Sequence, residues 1–133
     1  MSVGILLITH TDVGSSLLAA AAGILSAQPE LTSAIEVPGD SNPDTVFEQA
    51  LGQCRQFDQG NGVLVMTDLY GSTPSNIATR LPDHHNVVVI SGVNLPMLVR
   101  ALNYRTLPLD EVASKAASGG RDGVTMTKKK QAS

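Results

Sequence analysis

Apolar residues gather into four short runs along the chain, at residues 3–9, 33–37, 62–67 and 86–91, each rich in β-branched side chains. Three of these runs are nearly continuous rather than alternating. A strand open to water on one face alternates apolar with polar, whereas a continuous run fits a strand covered on both faces, the condition of a parallel sheet. The intervening segments follow the helical period. Residues 15–26 carry Leu17, Leu18, Ala21, Ala22 and Leu25 on one face, and residues 43–57 and 74–81 form two further helical segments. Strand and helix therefore alternate, which predicts βαβ units. Asp12 stands ahead of the first helix as its expected cap, Asn42-Pro43-Asp44 opens the second, and Ser72-Thr73-Pro74 opens the third, with Ser72 or Thr73 as its cap. After the fourth run, residues 94–104 place Leu95, Leu98, Val99 and Leu102 on one side of another helix, and residues 109–117 form a last one that Gly119-Gly120 is expected to end. Residues 123–127 read as a short final strand.

Right-handed crossovers through short loops arrange such elements as an α/β fold with an open, doubly wound, mostly parallel sheet and helices on both faces. For a flavodoxin-like strand order 2-1-3-4, the crevice that binds ligands opens between the carboxyl ends of strands 1 and 3. The loops there are Thr9-His10-Thr11-Asp12-Val13-Gly14 and Thr67-Asp68-Leu69-Tyr70-Gly71-Ser72-Thr73-Pro74, which are also the two loops richest in reactive and hydrogen-bonding groups. No internal repeat or long linker divides the chain, so residues 1–127 are expected to form a single domain, followed by a flexible tail at 128–133.

Composition removes several alternatives. A chain of 133 residues can build its own core, and its one cysteine, Cys54, excludes a disulfide scaffold. Only Phe47, Phe57, Tyr70 and Tyr104 are aromatic, which is poor material for stacking bases or sugar rings. The net charge of −3 opposes binding to nucleic acid or to an anionic membrane surface, and the only basic run, Lys128-Lys129-Lys130, lies in the tail. No stretch approaches a membrane span, and the first apolar run has no basic leader or cleavage site, so a cytoplasmic location without membrane insertion is expected.

The two crevice loops carry the chemistry. His10, directly after the first strand, projects at the sheet edge and can serve as nucleophile or base. Asp68, directly after the third strand, can hold one ring N–H of His10, leave the other nitrogen's lone pair facing outward, and stabilise the cationic ring formed when that nitrogen is phosphorylated or protonated. Gly71, Ser72 and Thr73 offer a flexible turn, two hydroxyls and free N–H groups at a helix start, an arrangement suited to a phosphoryl group without a metal ion. Asp12 is a further acid beside His10. His84-His85 has no other ligand at metal-binding spacing and reads as solvated, and Cys54 reads as a buried apolar residue. No cofactor is expected, because dinucleotide, nucleoside-triphosphate and hydrolase-elbow motifs are all missing.

Taken with Val37-Pro38-Gly39-Asp40, Ser91-Gly92-Val93-Asn94-Leu95-Pro96-Met97-Leu98 and Gly120-Arg121-Asp122-Gly123-Val124, these loops resemble the enzyme IIA domain of the mannose-type (fructose-subfamily) bacterial sugar phosphotransferase system over nearly the whole chain. The pattern Thr-Asp-x-x-Gly-x-[Ser/Thr]-Pro-x-Asn followed by Gly-Val-Asn-x-Pro-Met is specific in combination. The resemblance implies a phosphocarrier that takes a phosphoryl group from the phosphohistidine of HPr on His10 and passes it to a IIB partner for sugar uptake. It implies that Asp68 orients His10 and that Thr73 contacts the phosphate, with Gly71-Ser72 standing where many members have Gly-Gly. It also implies a homodimer in which residues 123–127 pair with the neighbouring subunit, and a IIB partner on a separate chain, since 133 residues leave no room for a fused one. Leu69, Tyr70, Leu95, Pro96 and Met97 are expected to form an apolar docking surface around the crevice. Alternative readings are a regulatory phosphorylation sensor without a dedicated permease, a receiver-like domain phosphorylated on Asp68, and a small hydrolase with Ser72 or Thr73, His10 and Asp68 as a triad. The receiver lacks the acidic pair after strand 1, and the hydrolase lacks a strained nucleophile turn.

Overall fold

The computed structural model describes residues 1–130. Four strands, β1 (Gly4–Thr9), β2 (Thr32–Glu36), β3 (Val63–Thr67) and β4 (Val87–Ser91), alternate with helices α1 (Val13–Leu25), α2 (Pro43–Phe57) and α3 (Thr73–Ala78). A 3₁₀ turn at Leu81–Asp83 leads from α3 into β4, and α4 (Leu95–Asn103) and α5 (Leu109–Asp122) complete the order. The strands form one parallel sheet ordered β2-β1-β3-β4. This is the order expected from the apolar runs. β1 and β3 are buried along their whole length, as their continuous apolar sequences require.

Each face of the sheet has its own core. Leu6, Ile8, Val63 and Val65 pack with Val46, Phe47, Ala50, Leu51 and Cys54 of α2 and with Ile77 and Ala78 of α3. Ile5, Leu7, Leu64 and Met66 pack on the other side with α1, α4 and α5 through Ala21, Leu98, Ala101, Val112 and Ala116. Successive residues of a strand point to opposite faces, so the two cores interleave along β1 and β3. Among the described residues, no helix is long and apolar enough to cross a membrane.

Helix ends show where local rules held and where packing replaced them. Asn42 accepts hydrogen bonds from the Asp44 and Thr45 N–H groups with Pro43 at the first position, and Asn94 accepts from Met97 N–H. Gly119-Gly120, in contrast, does not end α5, which continues to Asp122. These glycines lie on the face turned to α4. A Cβ on Gly119 would stand 2.9 Å from Arg100 Cβ, and one on Gly120 would stand 2.8 Å from Met97 Cε. Their missing side chains let two helices approach closely, and Asn94 Nδ2 donates to the Gly120 carbonyl across the same seam. Residues 123–127 form no strand in the single chain; they are exposed, with Val124 and Met126 facing solvent. The tail expected at 128–133 has no regular structure over 128–130, and its last three residues lie outside the described ones.

Candidate functional site

β1 and β3 are neighbours in register, so the residues that follow them emerge side by side at the carboxyl edge of the sheet. His10 and Asp68 meet there across 58 residues of sequence. Asp68 Oδ2 lies 2.9 Å from His10 Nδ1 and accepts the His10 backbone N–H at 3.0 Å. The His10 side chain is 48% exposed and that of Asp68 only 14%. Burial raises the Asp68 pKa, but the His10 ring and N–H outweigh it and hold the carboxyl below its ordinary range. An ionised carboxylate only accepts, so Nδ1 carries a proton, and in the neutral ring this tautomer leaves the Nε2 lone pair free to act as nucleophile.

The loop that presents His10 is fixed by its neighbours. Thr9 is fully buried, donates its hydroxyl to the His10 carbonyl at 2.8 Å, and accepts the Gly14 N–H at 2.8 Å. Asp12 does not cap α1 with its side chain. It occupies the left-handed region at φ 70°, and its N–H donates to the carboxylate of Glu36, the last residue of β2. The Ser15 hydroxyl, together with the Asp12 and Ser15 N–H groups, holds the Glu36 carboxyl below its ordinary range. Glu36 thus supplies from another strand the acceptor that Asp12 was expected to supply. Sequence reading passed over it because β2 is read by its apolar positions; the available signal was an acid at the end of the strand beside β1.

A crevice of about 260 Å³ adjoins His10, bounded by Thr73 and Pro74 of α3 and by Val37, Pro38 and Gly39 of the turn after β2. Thr73 is therefore brought to His10. Gly71 and Ser72 stand behind it: Gly71, at φ 85°, gives its N–H to Ser75 Oγ, and Ser72 donates its hydroxyl to the Leu69 carbonyl at 2.5 Å. Neither Ser72 nor Thr73 caps α3 through its side chain. Leu69 and Tyr70, which follow Asp68 in the chain, are exposed, and so is Pro96, while Leu95 is half-buried; none of the four lines the crevice. Met97 is buried at 5% exposure and belongs to the core against Gly120, not to the surface expected of it.

The remaining candidates lie elsewhere. His85 is not free in solvent, because its Nε2 lies 2.7 Å from Asp58 Oδ2, and the other Asp58 oxygen accepts the Gly60 and Gly62 N–H groups. Burial pushes Asp58 up, but the Gly62 and Gly60 N–H groups and His85 together bring it below the ordinary carboxylate value. His84 is exposed with its ring edge against Phe47. Cys54 is fully buried, and burial pushes its thiol up to about 11. Among the described residues, no group of three or more His, Cys, Asp or Glu side chains could hold a metal ion.

The class is thereby set: an open, doubly wound α/β domain whose switch-point crevice presents an imidazole paired with a carboxylate. The family model described as PTS system fructose IIA component (EIIA-man) matches residues 4–117. The chain belongs to this family of phosphotransferase-system (PTS) IIA components. It is 35% identical over 133 residues to the PTS system mannose-specific EIIAB component of Escherichia coli (strain K12), an alignment covering 98% of this chain and 41% of that protein. It is 29% identical over 116 residues to the transcriptional regulatory protein LevR of Bacillus subtilis (strain 168), covering 83% of this chain and 12% of the regulator. The chain thus spans about two fifths of the mannose-specific relative's length and less of the regulator's. In fold it is similar to the mannose/sorbose-specific IIA subunit from Enterococcus faecalis, with a TM-score of 0.86 at 21% identity over the whole of both chains. It is also similar to EIIA from Streptococcus agalactiae, with a TM-score of 0.84 at 24% identity over 93% of this chain and 96% of that one.

Proposed function

We propose that the chain is a phosphocarrier: His10 Nε2 takes a phosphoryl group from phospho-HPr and passes it to a IIB partner in sugar uptake. The observation that carries this reading is the His10–Asp68 pair, which engages Nδ1 of a half-exposed ring and leaves Nε2 without a protein partner among the described residues. In each transfer the donor nitrogen–phosphorus bond breaks, its electron pair returns to the donor ring, and a new bond forms to the acceptor nitrogen. No proton need move. The chemistry therefore asks for alignment and for offset of charge, and Asp68 offsets the charge that the His10 ring gains. Thr73 faces the incoming phosphoryl group from the crevice wall, with Gly71 and Ser72 shaping the turn behind it. The exposed Leu69 and Tyr70 suit the face that a partner covers to keep water from the phosphoryl group. No metal or cofactor enters this scheme, and it is read as cytoplasmic, with residues 1–127 as one IIA-like domain. The carrier is further read as a homodimer through exchange of residues 123–127; a monomeric mass by light scattering at micromolar concentration counts against this.

The deciding experiment incubates the protein with enzyme I, HPr and labelled phosphoenolpyruvate. Label that is acid-labile, alkali-stable and lost in His10→Ala supports the reading. Label that survives His10→Ala at the normal rate overturns it, and label lost in hydroxylamine points to Asp68 as acceptor. A second reading, in which the phosphorylation state of His10 is itself the signal, draws support from the similarity to a transcriptional regulator. Transfer of label onward to a IIB protein separates the two.

A further inference from the structure

The turn that carries His10 contains a residue in an unfavourable conformation. Asp12 sits at φ 70° and ψ −10°, a region that crowds the Cβ of any L-residue. Its own carboxylate makes no capping bond that offsets this cost. Glu36 is the group that holds it. Glu36 is the register partner of Thr9 across the β1–β2 pair, so its side chain starts beside the root of the turn, and its carboxylate accepts the Asp12 N–H.

We propose that Glu36 is a positioning residue for His10, acting through the backbone of Asp12; this rests on the reading of His10 as the phosphoacceptor. The connection is short. The Val13 N–H donates to the His10 carbonyl at 3.2 Å, the Thr9 hydroxyl donates to the same carbonyl, and Asp12 lies between His10 and Val13 in the turn so closed. With Asp12 held left-handed, the His10 peptide is fixed at its carbonyl, and its N–H then meets Asp68. Without Glu36, Asp12 relaxes towards ordinary backbone angles, the turn opens, and the half-exposed imidazole shifts away from its alignment with Asp68. The ring would then sample both tautomers, and Nε2 would be protonated for part of the time.

The test measures two quantities in wild type, Glu36→Ala and the double variant Glu36→Ala/Asp12→Gly. The first is the His10 tautomer, from imidazole ¹⁵N shifts of the unphosphorylated protein under conditions where the ring is neutral. The second is the initial rate of label uptake from phospho-HPr. Wild type is expected in the Nδ1–H form, Glu36→Ala as a mixture with uptake slowed about tenfold or more, the scale of loss from slight misalignment of a reacting group. The double variant is expected to recover both, since glycine adopts the left-handed conformation without strain. Thermal unfolding of all three proteins separates this from a general loss of stability, which would lower the melting temperature of Glu36→Ala without moving the tautomer of the folded protein. If Glu36→Ala does not fold, Glu36→Gln carries the same test with a smaller shift, because one amide oxygen can still accept the Asp12 N–H. An unchanged tautomer in the Glu36 variant overturns the proposal, as does slowed uptake that the glycine does not restore. If wild type takes up no label while the tautomer shifts as expected, the phosphocarrier reading fails and control of His10 by Glu36 stands.

Discussion

Replacing Asp68 by Asn tests the paired imidazole most directly, because the side chain keeps its size and loses its charge. All three contacts of the carboxylate are with donors: His10 N–H and Nδ1–H on Oδ2, and the Leu69 N–H on Oδ1. An amide has one acceptor oxygen, so its favourable placement turns the oxygen to His10 and the NH₂ group to the Leu69 N–H, where solvent is close. Two charge-assisted bonds become neutral. A hydrogen bond to a charged group contributes about 1.5–3 kcal/mol and a neutral one about 0.5–1.5 kcal/mol, but the His10 side chain is 48% exposed, so we take the lower end for the pair, about 1–2 kcal/mol. If the ring's developing positive charge feels this in the transition state, uptake slows about fivefold to thirtyfold, since 1.36 kcal/mol is a factor of ten. The assay is rapid-quench uptake of label from phospho-HPr at saturating donor, with thermal unfolding recorded in parallel and expected to fall by about 4–7 °C. Uptake within twofold of wild type, in a folded protein, would refute the role assigned to Asp68.

Further expectations concern the frame around the site. Asp58→Asn should lower stability at neutral pH by about 1–2 kcal/mol by removing charge from the Gly60, Gly62 and His85 contacts. Because the folded pKa of Asp58 lies below the unfolded value of 3.8, its contribution is complete above that value and lost as pH falls through the folded one, so wild-type and variant denaturation curves should converge in acid. Gly119→Ala and Gly23→Ala should move stability in opposite directions. The first brings a Cβ to 2.9 Å from Arg100 Cβ and should cost about 1–2 kcal/mol net, while the second meets nothing within 4 Å and should gain about 0.5–1 kcal/mol from helix propensity, both read by urea titration. Cys54, buried with its thiol pushed up to about 11, should resist thiol reagents in the native protein and react on unfolding.

The sheet was legible because its determinants are local. A run such as Val63-Leu64-Val65-Met66 has no polar face to offer water, and that alone makes it a central strand. The pairing of His10 with Asp68 was legible too, since strand order puts the residues after β1 and β3 together whatever lies between them. Contacts that depend on a second element were not. Gly119-Gly120 has the local look of a helix stop, and only the approach of α4 turns it into a packing face. Met97 belongs to a motif beside the crevice, yet the helical phase of α4 carries it inward. His85 finds Asp58 through a loop path that no periodicity encodes, and Glu36, though placed by strand register beside Thr9, meets Asp12 only because the turn after β1 folds back over it.

The 58 residues that separate His10 from Asp68 also give the site an order in time. During synthesis the histidine is made early, but its orienting carboxylate exists only after α1, β2, α2 and β3 have followed, about 3–12 s later at 5–20 residues per second. Until β3 docks beside β1, Nδ1 has no partner and the imidazole is an ordinary one. On the proposed phosphocarrier reading, a nascent or half-folded chain is therefore a poor acceptor, and label uptake at His10 would report that the middle of the sheet has closed.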